Sequence, residues 1–153
     1  MHSSVSQKGF TIIELVITSI LITILAVVAI PRLFNAADFS HLTTRDHLIS
    51  LLRESQLRAL NDHSACYSVL FSGSANYGIP VNCASALGSN SLSFPVEDGL
   101  TISIGGGENV SVIFDTLGRP SGGNCAGGCT ISVAGDATVQ VCLEREGYIH
   151  ACP

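Results

Sequence analysis

From Leu15 to Ile30 the chain reads LVITSILITILAVVAI without a single charged residue, and one acid, Glu14, stands at the run's beginning. The stretch from Phe10 to Pro31 is long enough to cross a bilayer, since roughly 20 apolar residues at about 1.5 Å of rise each match the hydrocarbon core. The nine residues before it are short and polar, with Lys8 as their only charged side chain. Positive charge ahead of the span stays cytoplasmic, which directs the rest of the chain to the periplasm or cell exterior.

After Pro31 the pattern changes. The segment 32–63 is polar, yet Leu42, Ile49 and Leu52, and then Leu48, Leu51 and Leu60, recur at helical intervals. Such spacing places them on one stripe. The prediction is one nearly continuous helix from about Phe10 to Leu60, its first half in lipid and its second half laying an apolar stripe on a globular head. Pro31 removes one backbone donor and is a place for a bend, and Asn61-Asp62-His63-Ser64 supplies the stop.

Beyond Ser64 the period falls to two. Cys66–Phe71, Leu100–Ile104, Asn109–Phe114, Thr130–Val133 and Thr138–Leu143 read as short strands, several alternating apolar with small polar residues. One-sided antiparallel strands alternate in this way. Ala134–Ala137 is a short hairpin connection, and 72–76, 84–91 and 122–128 are Gly/Ser/Asn loops. The fold class is α+β: a long N-terminal α-helix, transmembrane half plus amphipathic half, on a small antiparallel β head. Its segments are 1–9, 10–31, 32–63 and the head 64–153.

Composition refines this picture. Mean hydropathy is +0.44, too apolar for an all-soluble chain of 153 residues until the N-terminal run is set aside. What remains suits one small domain. There are no Trp, six Cys and fifteen Gly, a balance that favours turn-rich β structure with covalent staples over a large aromatic core.

An ordinary secretory signal has a small-residue cleavage site after its hydrophobic core. Here the small residue that looks like a cut site, Gly9, precedes the run, so cutting there keeps the helix. Lys8-Gly9-Phe10-Thr11-Ile12-Ile13-Glu14-Leu15, with Pro31 downstream, closely resembles the N-terminus of type IV prepilins and type II secretion pseudopilins. The resemblance implies that residues 1–9 are a leader, that a prepilin peptidase cuts between Gly9 and Phe10 and methylates the new amine of Phe10, and that Glu14 takes part in docking the subunit into a filament. It implies as partners other pilin or pseudopilin subunits, the peptidase, the membrane and an inner-membrane assembly platform. The implied location is the inner membrane of a Gram-negative bacterium, single-pass with a periplasmic head, then a pilus or pseudopilus filament.

The physics of Glu14 points the same way. A carboxylate in lipid costs about 2.5–3.5 kcal/mol on insertion scales, and the amine of Phe10, its own or a neighbour's, would offset that cost. The plainer alternative is a membrane anchor whose acid snorkels to the interface. Phe114-Asp115-Thr116-Leu117-Gly118-Arg119-Pro120, followed by a Gly-rich loop and two closing strands, resembles the C-terminal region of the GspH/FimT group of minor pilins and pseudopilins. The layout is also similar to minor pilins of the mannose-sensitive haemagglutinin (MSHA) pilus. What these resemblances imply is a minor pilin that helps initiate or assemble a type IV pilus, with a GspH-type type II secretion pseudopilin and an adhesive or ligand-binding minor pilin as alternatives.

Cys66, Cys83, Cys125, Cys129, Cys142 and Cys152 all lie in the head, as an oxidising compartment allows. Neighbours in sequence make the simplest pairs, Cys66 with Cys83, Cys125 with Cys129 and Cys142 with Cys152, though sequence does not fix connectivity. A zinc site from the last four is the rival, against which the ten-residue spacing of Cys142 and Cys152 counts. His41 and His47 do not share a helix face as a metal-binding i, i+4 pair would, so neither metal nor cofactor is expected.

From Cys66 onward Glu97, Asp98, Glu108, Asp115, Asp136, Glu144 and Glu146 face only Arg119 and Arg145, a balance of −5. Phosphate is repelled on average, which argues against nucleic acid. Some FimT relatives bind DNA through basic residues near the C-terminus, but this chain has no lysine after Lys8. Gly105-Gly106-Gly107 lacks the Lys-Ser/Thr of a phosphate loop and reads as a hairpin turn. His150 has no nucleophile-elbow sequence to work with. No enzyme is expected.

Overall fold

The computed structural model describes residues 9–33 and 37–153. They form two compact units, one ending at Leu33 and the other running from Ala37 to Pro153. The expected continuity of one helix through residues 34–36 lies outside the described residues.

The first unit is α1, Ile12–Leu33, of 22 residues. Thr11 caps it: its Oγ1 accepts from the Glu14 amide at 3.3 Å, and its carbonyl takes the first helical bond, from Leu15 N at 3.2 Å. The hydroxyls inside the apolar run turn back on the helix, Thr18 to Leu15 O, Ser19 to Val16 O and Thr23 to Ser19 O, at 2.8–3.0 Å. Their protons therefore ask nothing of the surroundings. Among the described residues no helix is long and apolar enough to cross a membrane. Described side chains of α1 end at Val27, so part of the expected span from Phe10 to Pro31 falls outside them.

The second unit opens with α2, Ala37–Asn61. Its buried stripe is His41, Thr44, Leu48, Leu51, Leu52, Ser55 and Ala59. This corrects the sequence reading: Leu42 and Ile49 lie half-buried at the border, and Leu60 is exposed. Ser55 and Ala59 are buried small side chains that a count of large apolar residues misses. The helix stops as expected at Asn61. Asp62 accepts from the amide and hydroxyl of Ser64 and from the Tyr67 hydroxyl, at 2.6–2.8 Å.

Two antiparallel sheets follow. The first, in order β3-β2-β1-β5-β6, comprises β1 Tyr67–Ser72, β2 Asn76–Ile79, β3 Leu92–Pro95, β5 Asn109–Phe114 and β6 Pro120–Gly123. The second, in order β4-β7-β8-β9, comprises β4 Thr101–Ile104, β7 Cys129–Ala134, β8 Thr138–Leu143 and β9 Ile149–Ala151. All five strands expected from alternation are present. β2, β3, β6 and β9 were not expected, since each is short and carries Gly, Pro or small polar residues in place of a clean alternation. The segment 72–76 is accordingly the hairpin turn between β1 and β2, and Gly122 and Gly123 belong to β6.

Gly105–Gly107 does form a tight turn, closed by Ile104 N to Gly107 O at 2.9 Å and the reverse bond at 3.0 Å. It is no hairpin between paired strands, because β4 and β5 sit in different sheets. α2 lies across both sheets, touching β1 of one and β7, β8 and β9 of the other. Val69, Phe71, Val112, Ile102, Ile131, Val133 and Val141 meet Leu48 and Leu52 in one continuous core.

Candidate functional site

At the N-terminus Gly9 and Phe10 precede the helix and are exposed; Phe10 is 82% exposed. Glu14 is the third residue of α1, exposed, one turn beyond the cap. That position places its carboxylate at the positive end of the helix dipole, a stabilisation of about 0.3–1 kcal/mol. Thr11-x-x-Glu14 has the spacing of a capping box. The pattern is legible in the sequence alone.

In the head, the six cysteines form Cys66–Cys83, Cys125–Cys129 and Cys142–Cys152, with Cα separations of 5.5, 5.0 and 5.2 Å. The four cysteines weighed as a zinc set are thus joined in two bridges, which removes the thiolates such a site needs. His150 is turned to local partners, its Nδ1 to Ala151 O at 2.8 Å and its Nε2 to Glu144 Oε1 at 3.3 Å, with its ring stacked on Tyr148. His47 contacts the Tyr77 hydroxyl at 2.6 Å and packs edge-on against Phe94.

Three turns remote in sequence converge at one end of the head. The first is Asp115–Arg119, joining β5 to β6. Asp115 Oδ1 accepts from the amides of Leu117 and Arg119 at 2.9 and 2.8 Å, and Oδ2 accepts from Arg119 Nε at 3.2 Å. Burial opposes ionisation of this carboxyl, but the bonds from Arg119 and Leu117 outweigh it and hold the group below its usual range. Gly118 takes φ +73 at the tip, a conformation glycine adopts without steric cost.

The second turn, Glu144–Tyr148, joins β8 to β9 and is closed by Glu144 N to Tyr148 O and Gly147 N to Glu144 O, both 2.9 Å. The third is the Cys125–Cys129 loop. Its Gly127 amide donates to Pro120 O at 3.2 Å, and Gly128 lies so near β8 that a Cβ there would meet Leu143 O at 2.9 Å and Arg145 N at 3.1 Å. Gln56 of α2 ties two of the turns together, its Nε2 donating to Gly118 O at 2.6 Å and Gly147 O at 2.7 Å. Arg53 adds a bond to Ile149 O at 2.8 Å. Both residues act through main-chain carbonyls, which a sequence pattern does not mark.

Between these turns lies a cleft of about 260 Å³, lined by Asp115, Arg119, Pro120, Ser121, Gly127, Arg145 and Glu146. The Phe114–Pro120 motif, the Cys125–Cys129 loop and the Glu144–Tyr148 turn, separate in sequence, therefore form one surface.

Compared with known proteins, residues 5–30 match the prokaryotic N-terminal methylation motif. No curated protein matches the sequence. The fold is similar to that of the type IV minor pilin FimU of Pseudomonas aeruginosa in two crystal forms. One has TM-score 0.50 at 15% identity, covering 73% of this chain and 92% of FimU; the other has TM-score 0.55 at 14% identity, covering 78% and 90%. The motif match covers the N-terminal segment, and the likeness to FimU is one of fold.

Proposed function

We propose that this chain is a minor pilin, a structural subunit that helps initiate or assemble a type IV pilus. The observation that carries the reading is α1: apolar and exposed on every described face, its hydroxyls bonded internally, and bearing one acid a turn from its capped start. A helix hydrophobic all round must be buried in lipid or among other helices. With 22 residues it is about 33 Å long at 1.5 Å per residue, close to the thickness of a bilayer's hydrocarbon core, and in this reading it anchors the chain in the inner membrane and afterwards joins a filament core.

In this reading the prepilin peptidase cuts between Gly9 and Phe10 and methylates the Phe10 amine. Glu14 then meets the amine of a neighbouring Phe10. The helix dipole, at about 0.3–1 kcal/mol, covers only part of the cost of about 2.5–3.5 kcal/mol for an acid in lipid; a paired cation covers more. The head, stapled by three disulfides, faces the periplasm and then the filament exterior.

The test is a strain lacking this chain, scored for surface filaments by electron microscopy and for exoprotein secretion, and complemented with wild type or Glu14→Ala. Loss of filaments with secretion intact, restored by wild type and not by Glu14→Ala, is the expected result. Lost secretion with filaments present would assign the chain to a type II secretion pseudopilus. Mass spectrometry of sheared filaments checks processing: a subunit retaining Met1 would refute cleavage at Gly9.

A further inference from the structure

The head's positive charge is gathered at one place. From Cys66 onward the only arginines or lysines are Arg119 and Arg145, and although they come from different turns, both line the three-turn cleft. Their situations differ. Arg119 is neutralised by Asp115 in its own turn, whereas Arg145 is exposed and has no hydrogen-bond or ion-pair partner among the described residues.

The walls are fixed by backbone bonds, by the Cys125–Cys129 bridge and by the Gln56 clamp, so a ligand finds the geometry already formed and little ordering opposes binding. At about 260 Å³ the cleft is smaller than the roughly 300–1,000 Å³ of drug-sized sites and admits a single group. A planar guanidinium without a partner is the fork that a carboxylate fits with two parallel bonds. The Asp115 and Glu146 carboxylates in the walls disfavour a dianion over a monoanion, and the acid excess of the head disfavours a polyanion further.

We propose that this cleft binds one carboxylate carried by an otherwise uncharged ligand, with Arg145 as the principal donor and Arg119 and Ser121 flanking it. The source of that group is either an acidic sugar or the C-terminus of a neutral peptide. The site belongs to the head and does not depend on the filament reading, so its failure leaves that reading intact.

The experiment uses the full chain in detergent micelles, with amide shifts followed by NMR during titration with glucuronate, acetyl-glycyl-glycine, glucose, inorganic phosphate and a short single-stranded DNA. The expected result is saturable movement of the Arg119, Ser121, Gly127 and Glu146 amides with at least one carboxylate probe, and whichever binds tighter identifies the source. Arg145→Gln should weaken it on the order of tenfold, the equivalent of one lost charge-assisted contact, and Glu146→Gln should strengthen it, both with the remaining spectrum unchanged. The proposal is overturned if neither carboxylate gives saturable shifts, if glucose moves the same amides equally, if Arg145→Gln binds as wild type does, or if phosphate or DNA binds tighter than both carboxylates.

Discussion

Gln56 holds the end of the head together through one amide group, and its replacement tests that arrangement directly. Its Nε2 donates to Gly118 O and Gly147 O at 2.6 and 2.7 Å from a half-buried position. Two neutral hydrogen bonds at about 0.5–1.5 kcal/mol net each put the cost of Gln56→Ala at about 1–3 kcal/mol. Gln56→Glu keeps the shape but, when ionised, has no donor and sets a charge against two carbonyl oxygens, so it should cost more than the alanine at neutral pH. The new carboxyl would have its pKa raised above the unfolded value of about 4.3. A raised acid contributes its favourable protonated bond below that unfolded value and loses it as pH rises through the folded pKa. Urea unfolding should therefore place Gln56→Glu at or above Gln56→Ala near pH 4 and clearly below it near pH 7. Amide exchange should accelerate at Gly118, Arg119 and Gly147 while β2 is unaffected. Equal stability of Gln56→Glu and wild type at pH 7, or a gap to Gln56→Ala that does not widen with pH, would refute the clamp.

Three further outcomes are expected. Leu52 is fully buried where α2 meets the sheets, so Leu52→Ala should lose about 2–5 kcal/mol in chemical denaturation; a loss below 1 kcal/mol would contradict the packing. Hydrogen bonds from the Ser64 hydroxyl, the Tyr67 hydroxyl and the Ser64 amide hold the Asp62 carboxyl at about 2 against 3.8, a depressed pKa whose stabilisation is complete above pH 3.8 and fades as pH falls toward 2. The stability advantage of wild type over Asp62→Asn should shrink across that window, and a constant gap would count against the network. At Gly78 an added Cβ would run into the Leu92 carbonyl of the neighbouring strand, so Gly78→Ala should cost about 1–3 kcal/mol by overpacking and speed amide exchange in β2 and β3. Unchanged exchange there would show that the strands are farther apart.

Long-range periodicity made the helices and the five alternating strands legible, because a stripe or an alternation is repeated over many residues. The four other strands were not, since β6 reads Pro-Ser-Gly-Gly and β9 is three residues long. Such strands exist because a neighbour supplies their hydrogen bonds, and a single chain segment carries no record of its neighbour. The same division holds at the sites. Gly9, Phe10 and Glu14 lie within six residues of one another, so one local segment of sequence carries the expectation placed on them. The cleft joins residues from three turns and a helix, and the Gln56 clamp leaves no trace in sequence because its partners are main-chain carbonyls.

The energetics of α1 assign different tasks to its apolar side chains and its acid. Twelve large apolar residues between Phe10 and Val27 stand exposed in the unit, and at about 1.5–3 kcal/mol each their burial is worth about 18–36 kcal/mol. The cost of one acid, about 2.5–3.5 kcal/mol even at a helix centre, is small beside this. Glu14 therefore does not decide whether the helix is buried. In the proposed assembly apolar side chains would give little preference between neighbouring packing registers, whereas a carboxylate is satisfied only opposite a cation. In that assembly, hydrophobic burial would supply the affinity of the helix for its apolar surroundings, and the single carboxylate would supply the register at which it stops.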